Sequence, residues 1–439
     1  MSGNKLRIPF NVGDEAIFHL ETADEPWGIH FEMRFDGRLD WQRLYAGLLR
    51  AIELHPMLRA RQAAFQPSDH TYYWKIQESP GVAALLVADC ADDADLAALR
   101  NNLLDTIIPT TRPPLLKAAL ARCPDGDRLL FIFSHVAGDG IGSLRVLRSV
   151  AAAYAGRQDP VPRLDLAGVR DLPKQLAAGT AGELIPRICE LLAYGANALS
   201  SPAARVAEDG AREKPGYGCC LLRLDAEETA SLKPRRYGPS TVNDLLLAAL
   251  HKTIGTWNGR HDTPCERIGV MMPLNMRPPG RLYEGFGNMS LFISVSTNER
   301  DREDDGRLMV RIREQTERFK QGGGTAFIEV MAKSSLLPVG IKQTMPMLLP
   351  LTRDRFVETS NLSNLGRLKE TLSFGPDAGG EPRSLWFSPP CKMPIGISFG
   401  IVTLQGCMHV AMRHRHAVFG AAAAARFMDL YRESLYEIG

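Results

Sequence analysis

The most constraining stretch of this 439-residue chain is an apolar run that empties into glycine. Leu129, Leu130, Phe131, Ile132 and Phe133 have no polar residue among them, the pattern of a strand buried on both faces. Ser134-His135-Val136-Ala137-Gly138-Asp139-Gly140-Ile141-Gly142-Ser143 follows, after which Leu144, Leu147, Val150 and Ala151 fall on one helical stripe. A buried strand, a glycine-rich loop and a helix make an α/β unit whose loop sits at the strand's C-terminal end, where such folds present reactive groups. His135 stands at that end. Its imidazole titrates near neutrality, so it takes a proton from an alcohol, thiol or amine without a large shift. Asp139 lies four residues on, and the turn, not the spacing, decides whether the two touch. The glycines leave room for a substrate chain to approach the backbone. The plain alternative is a strand-ending histidine on a glycine turn. Spacing also excludes a dinucleotide loop: Gly138, Gly140 and Gly142 give GxGxG, not GxGxxG.

The rest of the chain has the same mixed αβ texture. FEMRFDG (31–37) alternates as a strand, and Leu44, Leu48 and Ile52 define a helix that stops before Pro56. Between 166 and 215 strand signals vanish and Ala, Gly and Pro rise, around one amphipathic helix from Glu183 to Leu199. Strands return at 219–225, 268–275 and 286–296. A helix that Ser240 would cap carries Leu245, Leu246, Ala249 and Leu250, and a charged helix spans 306–320. A hairpin (397–404, 407–415) and a helix from about 420 close the chain. Length predicts two or three domains. The texture divides it into an N-terminal lobe (1–165), a helical connection (166–215) and a C-terminal lobe (216–439).

Composition excludes several classes. With 45% hydrophobic and 23% charged residues the chain is globular, not disordered. Fifty-two basic against 50 acidic residues leave no basic stripe for nucleic acid. Eight scattered cysteines without CxxC fit neither a disulfide framework nor a zinc site. They fit a reducing compartment. The N-terminus has no signal-peptide core, and the uncharged stretch Met393 to Met412 reads as a hairpin, not a transmembrane span. A cytoplasmic protein is expected.

Five ordered stretches together resemble one superfamily. HVAGDG (135–140) is similar to the HxxxDG core of nonribosomal peptide condensation domains, wax ester synthase/diacylglycerol acyltransferases and polyketide-associated acyltransferases. LHPMLRAR (54–61), PLNMRPPG (273–280), GFGNMSLF (285–292) and LSNLG (362–366) resemble that superfamily's HP-x-LR, P-x-x-x-R, G-x-x-N and SN-x-G segments, in the same order. The resemblance implies an α/β (α+β) fold: two chloramphenicol acetyltransferase-like lobes forming a V-shaped pseudo-dimer around a central tunnel. It implies acyl transfer from acyl-CoA or a carrier protein's phosphopantetheine thioester to a hydroxyl or amine, with no bound cofactor or metal, and a monomer is expected. By the same resemblance His135 is the general base and Asp139 is structural, paired with Arg277. Gly140 keeps the approach open, while Ser134, Gly138, Asn288, Ser363 and Asn364 line the substrate channel. One departure stands out: Ser134 replaces the first histidine of a doubled motif. The different-class alternative is a fold that binds a carrier protein or small ligand without chemistry.

Competing motifs fare worse. Gly396-Ile397-Ser398-Phe399-Gly400 fits a nucleophile elbow, but strand rather than helix follows it and no ordered acid and histidine complete a triad. His414 and His416 share a strand face without a third metal ligand at a recognisable spacing. Trp386-Phe387 and the Met-rich stretch 343–348 are candidates for an apolar tunnel wall or for packing.

Overall fold

The apolar run at 129–133 lies inside a sheet whose two faces are both covered, and every residue of that strand is buried. The computed structural model describes residues 7–79, 81–161, 166, 181–211, 216–277, 285–320, 336–344, 354–369, 372–376 and 380–439. Residues 167–180 and 212–215 of the expected connection, 278–280 of the PLNMRPPG stretch and the Met-rich stretch from 345 onward lie outside the described residues.

The first seven strands are β1 (Arg7–Pro9), β2 (Gly28–Arg34), β3 (Ala60–Gln62), β4 (Tyr73–Ile76), β5 (Leu85–Asp89), β6 (Leu116–Cys123) and β7 (Gly126–Ser134). The remainder are β8 (Tyr217–Leu224), β9 (Arg267–Asn275), β10 (Ser290–Asn298), β11 (Ser360–Arg367), β12 (Ser384–Ser388), β13 (Ile397–Leu404) and β14 (Cys407–Arg415). Among the described residues they form three sheets: β1-β4-β3, β12-β2-β7-β6-β5 and β10-β9-β11-β13-β14-β8. The fold is mixed α/β.

Each large sheet carries its own apolar core. On the five-stranded sheet Phe31, Met33, Leu129 and Phe131 join Leu44, Leu48 and Ile52 of the helix Trp41–Leu54 and Leu147 and Val150 of the helix Gly140–Tyr154. Those helices approach closely at Gly47, where a Cβ would lie 3.2 Å from the Val150 carbonyl oxygen. On the six-stranded sheet Val270, Val295, Phe399 and Val410 pack under the helices Val242–Arg260 and Ala421–Ile438 through Leu246, Leu250, Phe427 and Tyr431. β13 belongs to both cores: Ile397, Phe399 and Ile401 face one, Val402 and Leu404 the other. Residues two apart on a strand share a face and successive residues point to opposite faces, so one fully buried strand serves two cores.

The tail hairpin spans the residues the sequence assigned to it. Its turn residues, Gln405 (φ 50°) and Gly406 (φ 83°), have the positive φ angles that a two-residue hairpin turn requires. Two local assignments change. Thr241, not Ser240, caps the helix at Val242, because its hydroxyl accepts from the Asp244 N–H and Asp244 answers in a capping box. The strand expected from 286 starts at Ser290. Residues 286–289 instead spend backbone groups on the loop after β7. The strand after residue 380 takes an unexpected partner: β12 pairs antiparallel with β2, Phe387 opposite Phe31, and so completes the sheet that carries His135.

Candidate active site

His135 follows β7 directly, and three contacts hold it. Its backbone N–H donates to the Trp27 carbonyl (3.3 Å), and its own carbonyl accepts from Asn288 Nδ2 (3.2 Å). Its ring Nδ1 lies 3.0 Å from the Gly138 carbonyl oxygen. A carbonyl only accepts, so Nδ1 carries the proton and the neutral ring keeps its lone pair on Nε2. The residue is 6% exposed. Burial lowers its pKa below the usual histidine value, with Asp139 opposing that effect, so the ring is neutral near pH 7. Trp27 and Phe292 flank it, with ring centroids 6.3 Å and 6.4 Å from the imidazole.

Asp139 does not reach His135 by a hydrogen bond. As N-cap of Gly140–Tyr154 it accepts from the Gly142 N–H through Oδ1 at 2.8 Å. Arg277 donates to both carboxylate oxygens at 2.8 Å, and the Met289 N–H donates to Oδ2 at 2.8 Å. Burial alone would raise this carboxyl's pKa; the Arg277 guanidinium and these donors outweigh it and hold it below the ordinary value. With four donors on two oxygens, the carboxylate is a fixed anion that ties the motif loop to residues from the second half of the chain. Arg277 also donates to the Gly287 carbonyl at 3.1 Å.

The glycines serve close packing. A Cβ on Gly138 would fall 2.2 Å from the Phe286 ring, so Phe286 fills the space that the sequence left open for substrate. At Gly140 the neighbours would be Leu365 at 3.1 Å and Phe387 at 3.2 Å. Ser134 is 1% exposed, and its hydroxyl has no hydrogen-bond partner among the described residues. Asn288, expected to line the channel, is equally buried, and its Nδ2 donates to the His135 carbonyl. Ser363 and Asn364 sit on β11 opposite Gly400 and Ile401 of β13. Strand alternation puts Ser363 on the face of Leu365, which packs toward Gly140, and Asn364 on the other face, where its Oδ1 accepts from the Gly366 N–H. Neither hydrogen-bonds His135 among the described contacts.

Three further residues belong to the site: Phe292, at the end of the GFGNMSLF stretch, and Trp27, both beside the imidazole, and Asn11, whose Nδ2 donates to the Asn288 carbonyl at 2.5 Å. Trp27 and Asn11 had no signal in the sequence: each comes from a segment distant in the chain from His135, and nothing in local periodicity marks it. Ser398 is fully buried in β13 and its hydroxyl donates to the Pro389 carbonyl, which leaves no exposed elbow nucleophile. The His414 and His416 rings lie 6.1 Å apart, and among the described residues no three His, Cys, Asp or Glu side chains are grouped to hold a metal.

This fold with a glycine-rich HxxxDG loop between two sheets is that of the condensation domains. The first condensation domain of the CDA synthetase matches over 99% of this chain and 96% of its own, with TM-score 0.69 and 15% identity. The EpoB NRPS cyclization-docking bidomain from Sorangium cellulosum matches over 99% and 85%, with TM-score 0.70 and 18% identity. No protein-family model matches the sequence. The uncharacterized protein Rv2305 of Mycobacterium tuberculosis is 32% identical over 433 residues, covering 96% of this chain and 97% of its own. The chain belongs to the family of that mycobacterial protein, and its fold is that of the condensation domains. No helix among the described residues is long and apolar enough to cross a membrane.

Proposed function

We propose that the protein is a stand-alone condensation-like acyltransferase that moves an acyl group from a thioester to a hydroxyl or amine. The observation that carries this reading is the His135 ring, neutral and with Nδ1–H fixed on the Gly138 carbonyl, which makes Nε2 a base. In the reaction Nε2 takes the acceptor's proton as its oxygen or nitrogen attacks the thioester carbonyl. The tetrahedral oxyanion then collapses, the C–S bond breaks, and the thiolate leaves with the proton from Nε2. The products are an ester or amide and a free thiol. Asp139 and Arg277 take no proton; they hold the loop. The donor is acyl-CoA or an acyl or peptidyl carrier protein, with no resident cofactor and no metal, acting in the cytoplasm on a small alcohol or amine. The thioester arm and the acceptor meet His135 between the two sheets.

His135→Ala tests this. Folded by circular dichroism, the variant is expected to lose about 100-fold or more of its turnover, the usual worth of a positioned base. Formation of the acylated acceptor and loss of acyl mass from a carrier protein, followed by intact-protein mass spectrometry, give the readout. Turnover equal to wild type overturns the assignment. The near-closure of His135, 6% exposed, favours a second reading in which the fold binds a carrier protein or small ligand without chemistry. Saturable binding with no product from any thioester would select it.

A further inference from the structure

We infer that Asn11, at the start of the chain's first helix, is a positioning residue for His135, acting through Asn288. The inference rests on the general-base reading of that histidine. Asn288 Nδ2 donates to the His135 carbonyl, and the Asn288 carbonyl accepts from Asn11 Nδ2. Asn11 is fixed in turn: its Oδ1 accepts from the Asp14 N–H at 2.8 Å, and its N–H donates to Asp14 Oδ2 at 3.2 Å. That same carboxylate oxygen accepts from Trp74 Nε1 at 3.0 Å. All four residues are buried, Asn11 at 7% and the other three at 1% or less. The relay runs from the helix Val12–Leu20 through the segment before β10 to the base, joining two parts of the chain 277 positions apart.

The residue type is the argument. A helix cap needs one acceptor oxygen, and Ser, Thr or Asp supplies it as well as Asn. Only the carboxamide puts acceptor and donor on separate atoms, so that one caps the helix while the other reaches Asn288; a hydroxyl has a single, nearer oxygen for both tasks. The cap explains Oδ1; the base explains Nδ2. On its other side the His135 backbone is held by Trp27, so the loop is gripped from both sides and the Nδ1–H bond to Gly138 keeps its direction. Positioned groups lose rate steeply when their geometry loosens. The charge acting on the imidazole is that of Asp139, itself paired with Arg277; Trp27 and Phe292, which flank the ring, do not titrate.

Asn11→Ser keeps the capping oxygen and removes the Nδ2 arm that reaches the Asn288 carbonyl, with Asn11→Ala, which removes both, as the folding control. Three readouts are taken on the full chain: thermal midpoint, the NMR titration of the His135 ring (assigned by its absence in His135→Ala), and kcat and KM with a thioester that wild type uses. For Asn11→Ser the expected midpoint is within ~2 °C of wild type, since the cap survives. The ring titration is expected to rise by ~0.5 unit or more as the loosened loop admits water. The kcat is expected to fall ~10-fold with KM within about twofold. Unchanged titration and kcat, with or without a lower midpoint, overturn the inference and leave Asn11 a helix cap. A shifted titration in a protein that transfers no acyl group supports the positioning and refutes acyl transfer, so the two failures are distinct.

Discussion

At the scale of single residues, the pair Asp139–Arg277 decides whether the loop exists. Both side chains are almost fully buried, and among the described residues the guanidinium is the only positive charge on that carboxylate. Arg277→Ala leaves a buried anion with backbone donors alone, and the expected cost is ~3–5 kcal/mol, read as a lower urea midpoint. Which residues form this centre was partly legible. The motif's histidine, aspartate and glycines were marked by a strand-loop-helix pattern, and Arg277 by the ordered stretches around it. What each one touches was not. Asn288 was legible as a motif residue, but not its hydrogen bond to the His135 backbone; Ser363 and Asn364 looked equivalent, yet a strand sends neighbours to opposite faces. Asn11 was illegible because its partner lies 277 positions away.

At the scale of elements, β12 is the piece that local pattern could not place. Of its five residues, SLWFS, the sequence marked only Trp386-Phe387, for a tunnel wall or for packing, and nothing in them names β2 as partner. The hairpin β13–β14 was legible for the opposite reason: both strands and the turn between them are contiguous, so local chemistry fixes the pairing. In β12 the key side chain is Phe387, 2% exposed, with its ring centroid 5.1 Å from that of Phe31 and its carbonyl against Gly400 of β13. It therefore touches the sheet it joins and the sheet beside it. Phe387→Ala is expected to lower stability by ~3–5 kcal/mol. Chemical denaturation followed by far-UV circular dichroism checks this; a change below about 1 kcal/mol would show that β12 is held by its backbone alone.

At the scale of the whole molecule, acid should unfold this protein early. Burial, the largest cause in each case, lowers His30, His55 and His251 to about 3 and His409 and His414 to about 4. In the unfolded chain these rings titrate near 6.5. Between 6.5 and those values the unfolded state binds protons that the native state refuses, so stability is full above 6.5 and falls as pH drops through that window. Lowered carboxylates such as Asp139 and Glu32 add to the loss at the acid end. The expected result is a urea midpoint that is flat from pH 7 to 8 and declines steeply between 6.5 and 4; a flat midpoint across that lower range would show that these imidazoles are open to water.

The pairing of β12 with β2 has a temporal side. β7 is complete at Ser134, but the strand that closes the β2 edge begins about 250 residues later, at Ser384. At about 5–20 residues per second on the ribosome, the half-built sheet waits roughly 12–50 seconds with Phe31 and Met33 on an open edge. An unpaired apolar edge is a template for wrong partners. The nascent chain is therefore most vulnerable to misassembly over that interval, and a chaperone that shields β2 would matter more to the yield of this protein than to its final stability.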